Sequence, residues 1–421
     1  GKDEWTVRFT SGFASMVGGV NANSSAYNFN MTATGDNQNL WNIFYKTVNG
    51  ANAAIEAISA LPESAFKDAG RKNEMLGEAY GIRAFAHMYT LFYFGRWWDD
   101  PENPYGIIYK TQLSSLSNVY QERETVGKTY ELLLADLDKA IEMAPDYTTG
   151  KRMSRQMAQA MKAKVLMYRG RGNDYSEALT LVDAILAKAN AVGLVLENSL
   201  TELYDKAWDS KELLFCRYRE KTDDVISAYN YTYGYNYATL TIQTLGDNLL
   251  AGDPRYDEAW GPVKSPTTGN NTYVRAPKKL ARKGRQEGGD NDKYTTYFMR
   301  LTEVYLMRAE LLERTGRPLA DAMAPINLVR DRSGLGPLTA STKQEFYDHL
   351  FKEIFIELHL ENEAHWMAAA RFTDASGKRL IFNLRPTLTI TEDRFIYPLP
   401  TSEMKWNPFI DQNPSYEHLV Y

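Results

Sequence analysis

The feature that most constrains this chain is a helical period that starts, stops and doubles back. Apolar residues recur at 3.6-residue spacing at Trp41, Phe44, Tyr45, Val48, Ala51, Ile55 and Ile58, and Pro62 closes the run. A second run covers about Lys72 to Phe94. A third covers Thr125 to Met143, with Thr125 as its N-cap and Pro145 just beyond its end. Two pairs follow: 154–169 with 174–189, joined by Arg169-Gly170-Arg171-Gly172-Asn173, and 296–315 with 318–332, joined by Thr315-Gly316-Arg317-Pro318. The last strong run is 343–371. In each pair small residues line one helix (Ala158, Ala160 and Ala163; Ala309), a glycine turns the chain, and an Ala-containing helix returns (Ala178; Ala320 and Ala322). Small residues let helices approach closely, and the layout is that of tetratricopeptide units of about 34 residues. An ordinary αα-hairpin shares the same local pattern. The predicted class is mainly α: a tetratricopeptide-like helical repeat scaffold with a loop-rich insertion and a few short strands.

The whole chain, 1–421, reads as one domain in three parts. Residues 41–190 form an N-terminal helical repeat part, and 296–421 a C-terminal helical repeat part with a tail. Between them, 194–295 is a variable loop-rich region, the predicted ligand region. It holds one short strand signal, Leu213-Leu214-Phe215-Cys216-Arg217-Tyr218, and a basic run from Arg275 to Arg285 that acidic residues follow at once. A loop-rich stretch of this length inside a helical protein is usually functional. The first 38 residues, rich in Asn, Ser, Thr and Gly, read as irregular surface.

Composition removes several classes of function. The net charge is −5, which argues against a dedicated nucleic-acid binder, since phosphate neutralisation needs a basic surface. A single cysteine, Cys216, rules out an intrachain disulfide framework and a zinc site built on several thiolates. The uncharged stretch Ala84–Gly95 is too short to span a bilayer, and no charged-then-apolar signal opens the chain at Gly1-Lys2-Asp3. No phosphate loop, dinucleotide fingerprint or G-x-S-x-G elbow is present. Glu357, Glu361 and His365 share one helix face, as a metal edge or as ion-pair partners. No cofactor is expected.

What stands out is aromatic content: 28 Tyr, 17 Phe and 8 Trp. Tyr229, Tyr231, Tyr233, Tyr235 and Tyr237 alternate with small or polar residues, so an extended backbone sets all five rings on one side. That row is either a cross-strand ladder over the core or a platform for a ligand with apolar faces and hydroxyl edges, as sugars have. A second cluster, Phe94-Gly95-Arg96-Trp97-Trp98-Asp99-Asp100-Pro101-Glu102-Asn103-Pro104-Tyr105, directly follows a helix. Its glycine and two prolines make a rigid loop in which adjacent indoles cannot both face one core. At least one indole is therefore expected at the surface as a ligand contact. Trp260 and Tyr273 are further candidates.

In order and spacing, several motifs resemble the SusD/RagB family of Bacteroidetes surface glycan-binding lipoproteins. They include Trp41-Asn42-Ile43-Phe44-Tyr45 with Asn49 and Ala51-Asn52, then Glu78-Ala79-Tyr80-Gly81-Ile82-Arg83-Ala84 leading into Phe92-Tyr93-Phe94-Gly95. Arg123-Glu124-Thr125-Val126 follows, and later Ile326-Asn327-Leu328-Val329-Arg330-Asp331-Arg332-Ser333-Gly334. The close is Tyr397-Pro398-Leu399-Pro400, Asn407-Pro408 and Gln412-Asn413-Pro414. The late-helix pattern of the family is matched only loosely by Glu361 to Arg371, and the lipid-bearing cysteine expected upstream is not in this chain.

The resemblance implies four tetratricopeptide-like units and a non-catalytic role in binding oligosaccharide or polysaccharide at the outer-membrane surface. It also implies delivery of that glycan to a SusC-like TonB-dependent transporter, with membrane attachment only through an N-terminal lipid. In the starch-binding members an Arg, a Trp and an Asn contact glucan, and Arg83, Trp98 and Asn103 are their counterparts here. With Trp97, Tyr105, Tyr231, Tyr233 and Trp260 they make up the expected ligand-binding set. The rival readings are a helical-toroid glycoside hydrolase, which must release reducing ends, and a peptide-binding repeat scaffold.

Overall fold

A computed structural model describes residues 31–34, 36–217, 252–264, 273–277, 295–358 and 361–419, with 36, 260–264 and 273–277 described by backbone alone. Five helices come first: α1 (Asp36–Ala60), α2 (Arg71–Phe94), α3 (Val126–Met143), α4 (Arg155–Arg169) and α5 (Asp174–Lys188), each packed on the next. After the short α6 (Leu200–Lys206) come β1 (Leu213–Arg217), α7 (Arg255–Ala259), β2 (Trp260–Lys264), β3 (Tyr273–Pro277) and β4 (Thr296–Arg300). The helical series then resumes as α8 (Leu301–Arg314), α9 (Leu319–Arg332), α10 (Lys343–Leu358) and α11 (Ala364–Arg371), followed by the short α12 (Leu380–Leu384) and α13 (Thr401–Trp406). Helix α8 packs against α5, so the two helical series form one continuous tetratricopeptide-like stack.

Local chemistry explains where these elements begin and end. The Thr125 hydroxyl accepts from Lys128 N at 3.1 Å, and Ser154 accepts from Met157 N at 3.2 Å, each satisfying an orphan donor of the first turn. Gly170 ends α4 at φ +60°, the left-handed geometry that glycine adopts without steric cost. Gly77 serves close approach instead: a Cβ there would lie 2.2 Å from the backbone nitrogen of Ala144 at the end of α3.

Two runs differ from expectation. The stretch 296–315 opens as a strand, β4, because Thr296-Tyr297-Phe298-Met299-Arg300 pairs antiparallel with β1, Leu213 opposite Arg300 and Cys216 opposite Tyr297. Both strands are buried throughout, so no alternation announces them. The run 343–371 is two helices, with Asn362 and Glu363 at positive φ between them. The loop-rich region therefore leaves and re-enters through the β1–β4 ladder, and within it β2 and β3 form a second antiparallel pair, Trp260 opposite Pro277 and Lys264 opposite Tyr273.

The core runs along the inner faces of the helices and reaches the ladder, where the Phe85 ring stands edge-on to Phe215 at 5.4 Å and to Phe298 at 5.1 Å. A buried ionic network ties the loop-rich region to the C-terminal helices. Arg255 holds Asp253 at 2.8 Å, Glu353 at 2.6 Å and Glu357 at 3.1 Å; Arg300 holds Glu361 at 2.8 Å and also pairs with Glu212; Arg332 pairs with Glu212 and Glu357. Burial alone would raise the Glu357 carboxyl, but the surrounding guanidiniums of Arg332, Arg255 and Arg300 hold it down at about 2.

Candidate functional site

The loop after α2 is braced at every turn. Arg96 pairs with Asp99 at 2.6 Å and with Asp393 in the tail. Asp99 also accepts from Asn103 Nδ2 at 3.0 Å, and its backbone carbonyl accepts from Arg171. Backbone bonds from Arg96 N to Tyr105 O, Gly127 N to Pro101 O and Val126 N to Asn103 O, each 2.9 Å, lock the loop to its own ends and to the start of α3. A loop held this way offers whatever it exposes in one conformation, so little ordering entropy opposes binding.

The two indoles part company. Trp97 is 2% exposed and packs among Phe92, Tyr168 and the Tyr130 ring, whose hydroxyl donates to Trp97 O at 2.8 Å. It is a core residue, which corrects the expectation that it contacts ligand. Trp98 stands at 79° to Trp97, is half-buried, rests on Phe395, and has the Arg96 guanidinium 5.4 Å from its ring centroid. Asn103 and Tyr105 are also half-buried on this loop. Asn103 turns the chain, its Oδ1 accepting from Tyr105 N at 2.9 Å, and the Arg123 guanidinium lies over the Tyr105 ring at 5.3 Å.

Arg83 is the second correction. It is 4% exposed and makes a forked pair with Asp136, at 2.7 and 2.6 Å, while its Nη1 donates to Asn52 Oδ1 at 2.8 Å and to Thr111 O at 3.0 Å. Tyr109 donates to the same Asp136 at 2.7 Å, and Asn52 donates to Lys110 O and Gln112 O. Every arm of the guanidinium is used to fasten α1, α2, α3 and the segment 109–112 together, so none reaches a ligand.

Tyr231 and Tyr233, with the rest of the tyrosine row, lie outside the described residues. For Trp260 the described feature is its strand position at the head of β2. Glu357 and Glu361 take the ion-pair alternative through the Arg255, Arg300 and Arg332 network, and the buried His365 ring meets Phe355 edge-on at 5.9 Å. Among the described residues no group of three or more His, Cys, Asp or Glu is placed to hold a metal ion. Burial pushes the Cys216 thiol up to about 12, which leaves it an unreactive core group.

Among the described residues, the most exposed large rings are ones that sequence reasoning passed over. Trp406 is 63% exposed, Phe409 57% and Tyr120 44%. The tail and the loop that carry them touch, since Asn407 Nδ2 donates to Gln121 O at 2.9 Å. The available signal was local: Lys405-Trp406-Asn407-Pro408-Phe409 places two rings astride an Asn-Pro break at the end of α13.

Two family models match in order along the chain: "Starch-binding associating with outer membrane" over residues 2–167 and "SusD family" over 215–416. SusD-like protein P38 of Formosa agariphila is 23% identical, over 92% of this chain and 82% of the relative. A SusD superfamily protein of Bacteroides thetaiotaomicron shares the fold with a TM-score of 0.73 at 22% identity, covering 98% of each chain. A laminarin-binding SusD-like protein does so at 0.74 and 19% identity, covering 99% of this chain and 97% of that one. With the two family models together matching most of its length, the chain belongs to the SusD/RagB family.

Proposed function

We propose that this protein, anchored to the outer membrane by an N-terminal lipid, captures oligosaccharide or polysaccharide at the cell surface without breaking bonds and passes it to a SusC-like TonB-dependent transporter. The observation that carries the reading is the braced loop 95–105, which carries one partly open indole, Trp98, and the half-buried Asn103 and Tyr105. A sugar ring lays its C–H face on such an indole, while amide and phenol groups of the same loop are of the kind that takes its hydroxyls. Capture needs no general acid or nucleophile, and affinity is modest because hydrated hydroxyls must be stripped for few contacts. The laminarin-binding relative and a sugar-binding relative from Bacteroides vulgatus support glycan as the ligand class.

The test is titration of the purified chain with laminarin and a panel of other glucans, mannans and galactans. Binding to one class, weakened about tenfold in Trp98→Ala with unchanged far-UV circular dichroism, is the expected result. Full affinity in Trp98→Ala removes that indole from the site, and release of reducing ends on incubation replaces capture with hydrolysis.

A further inference from the structure

A chamber opens at the far end of the helix that leads into the braced loop. Where α2 begins, Arg71 and Glu74 face the turn 145–154, between α3 and α4, across a cavity of about 250 Å³ floored by Pro145 and Met153. Drug-sized ligands fill about 300–1,000 Å³, so this space suits one small hydrated molecule or one unit of a polymer. Its walls are fixed in advance. The buried Gln156 accepts from Tyr147 N at 2.7 Å and donates to Asp146 at 3.0 Å, and Arg155 N donates to Pro145 O at 2.8 Å. Cys216 N on β1 donates to Gly150 O at 2.8 Å, and a Cβ on Gly150 would stand 2.7 Å from Leu213 O, so the turn lies hard against the strand. Across the chamber, Glu78 accepts from Arg152 at 2.6 and 3.2 Å and from Arg71 at 3.5 Å, while Arg71 also reaches Glu74 at 2.8 Å. One carboxylate thus orients two guanidiniums that belong to opposite walls.

The pairing leaves hydrogen-bonding capacity of both kinds. A guanidinium carries five N–H donors; Arg152 engages Glu78 through Nε and Nη2, and Arg71 engages its carboxylates through Nη1. Glu74 accepts through Oε2 and Asp146 through Oδ1, and the Thr148 hydroxyl stands exposed at the rim. Charge is matched: Arg71, Arg152 and Arg155 pair with Glu74, Glu78 and Asp146, so the chamber exerts little net pull on an anion or a cation. Among the described residues no aromatic ring lines it, which removes a stacked base as its occupant. Donors and acceptors in equal measure above an apolar floor fit a neutral polyol, whose hydroxyls both donate and accept and whose C–H face lies on Pro145 and Met153. We infer that the cleft between Arg71, Glu74 and the turn 145–154 is a second saccharide site, taking one neutral sugar unit of the glycan whose capture is proposed above, a reading on which the choice of ligand class rests. Helix α2 sets its distance from the first site, about 30 Å from Glu74 to Gly95 at 1.5 Å per residue. A long polymer held at one end of α2 meets the other end at raised effective concentration, whereas a short oligosaccharide meets one site at a time.

The test follows the Met153 methyl by NMR in the purified chain with isotope-labelled methionine methyls, and Met153→Leu assigns the signal. The probes are the methyl glycosides of glucose, mannose and galactose, titrated separately, with sodium sulfate as the anionic control. The expected result is a saturable shift of that methyl with at least one glycoside and none with sulfate. Arg152→Ala should weaken the response at least tenfold with the thermal midpoint unchanged, since Arg152 is exposed and Glu78 keeps Arg71. Arg152→Lys, which keeps the charge and loses the fork, should not restore it. Trp98→Ala should leave it intact. With a glycan bound in the panel above, Arg152→Ala should weaken long chains more than oligosaccharides too short to span α2. A Met153 methyl that no glycoside moves, that sulfate moves instead, or that responds equally in Arg152→Ala overturns the inference. The two sites fail separately. Glycan binding that Trp98→Ala removes and Arg152→Ala spares refutes this site alone, whereas the reverse refutes the loop reading and leaves this site standing.

Discussion

Residues 95–105 and 111–121 are near neighbours in sequence, both rich in apolar or aromatic side chains, yet one turns a tryptophan inward and the other turns its leucines out. The difference lies in what brackets them. The first segment carries Arg96 and Asp99, which reach Asp393 and, through the Asp99 carbonyl, Arg171, and this ionic bracing draws the loop onto the body until Trp97 is covered. The second has only amides and hydroxyls as its polar side chains, and its bonds, within the loop and to Asn49, tie down the backbone while Leu116 stays fully exposed. A ring is thus placed less by its own hydrophobicity than by the reach of the polar groups around it.

The contrast can be broken most forcefully at the inward end. Arg83→Ala would leave Asp136 charged, buried and without its fork, and should cost about 3–5 kcal/mol in urea unfolding. A ligand-contact role for Arg83 predicts no such loss. Trp97→Ala empties a core position and should cost about 3–5 kcal/mol by the same measurement. Glu363 sharpens the picture by its pH dependence. It lies beneath Tyr93, whose hydroxyl donates to it at 2.5 Å, with Lys164 also acting on it, and burial pushes its carboxyl up to about 8. The folded protein therefore keeps a proton that the unfolded chain releases above its ordinary carboxylate range. Stability from this group is greatest in acid, falls as pH rises toward 8, and levels beyond. Glu363→Gln should raise the thermal midpoint more at pH 8 than at pH 5, by an amount worth on the order of a few kcal/mol. Equal gains at both pH values would contradict a protonated Glu363. At the outward end, Trp406→Ala should change stability by no more than about 0.5 kcal/mol, and a larger loss in calorimetry would mean that its ring is covered in the free protein.

The helices were readable because period, caps and turn glycines agree, as at Thr125 and Gly170. The strand β4 was not, since a strand buried on both faces shows no alternation. The candidate site was legible only in part. That adjacent indoles diverge follows from the loop chemistry, but which one is covered depends on Tyr130 and Tyr168, supplied by other helices. Arg83 misled because its partner Asp136 stands 53 positions away. The same holds for the motifs that carry the family resemblance. Asn327 exchanges two hydrogen bonds with Leu338, Gln412 exchanges two with Leu399, Arg332 joins the buried ionic network, and Asn413 caps Phe94 O and Tyr397 O. These residues fasten the fold, which is why they announce architecture clearly and ligand poorly.

The β1–β4 ladder has a consequence for how such a protein can diversify. Because Arg217 and Thr296 are paired across it, the excursion between them starts and finishes at one doorway, and neighbouring strands lie only about 4.8 Å apart. Segments of different length and chemistry can be exchanged at that doorway while the helical stack stays unaltered, provided that Asp253 and Arg255 keep their seat against Glu353. Transplanting 218–294 from a relative, with those two side chains retained, should then leave the helical frame and the braced loop 95–105 as they are.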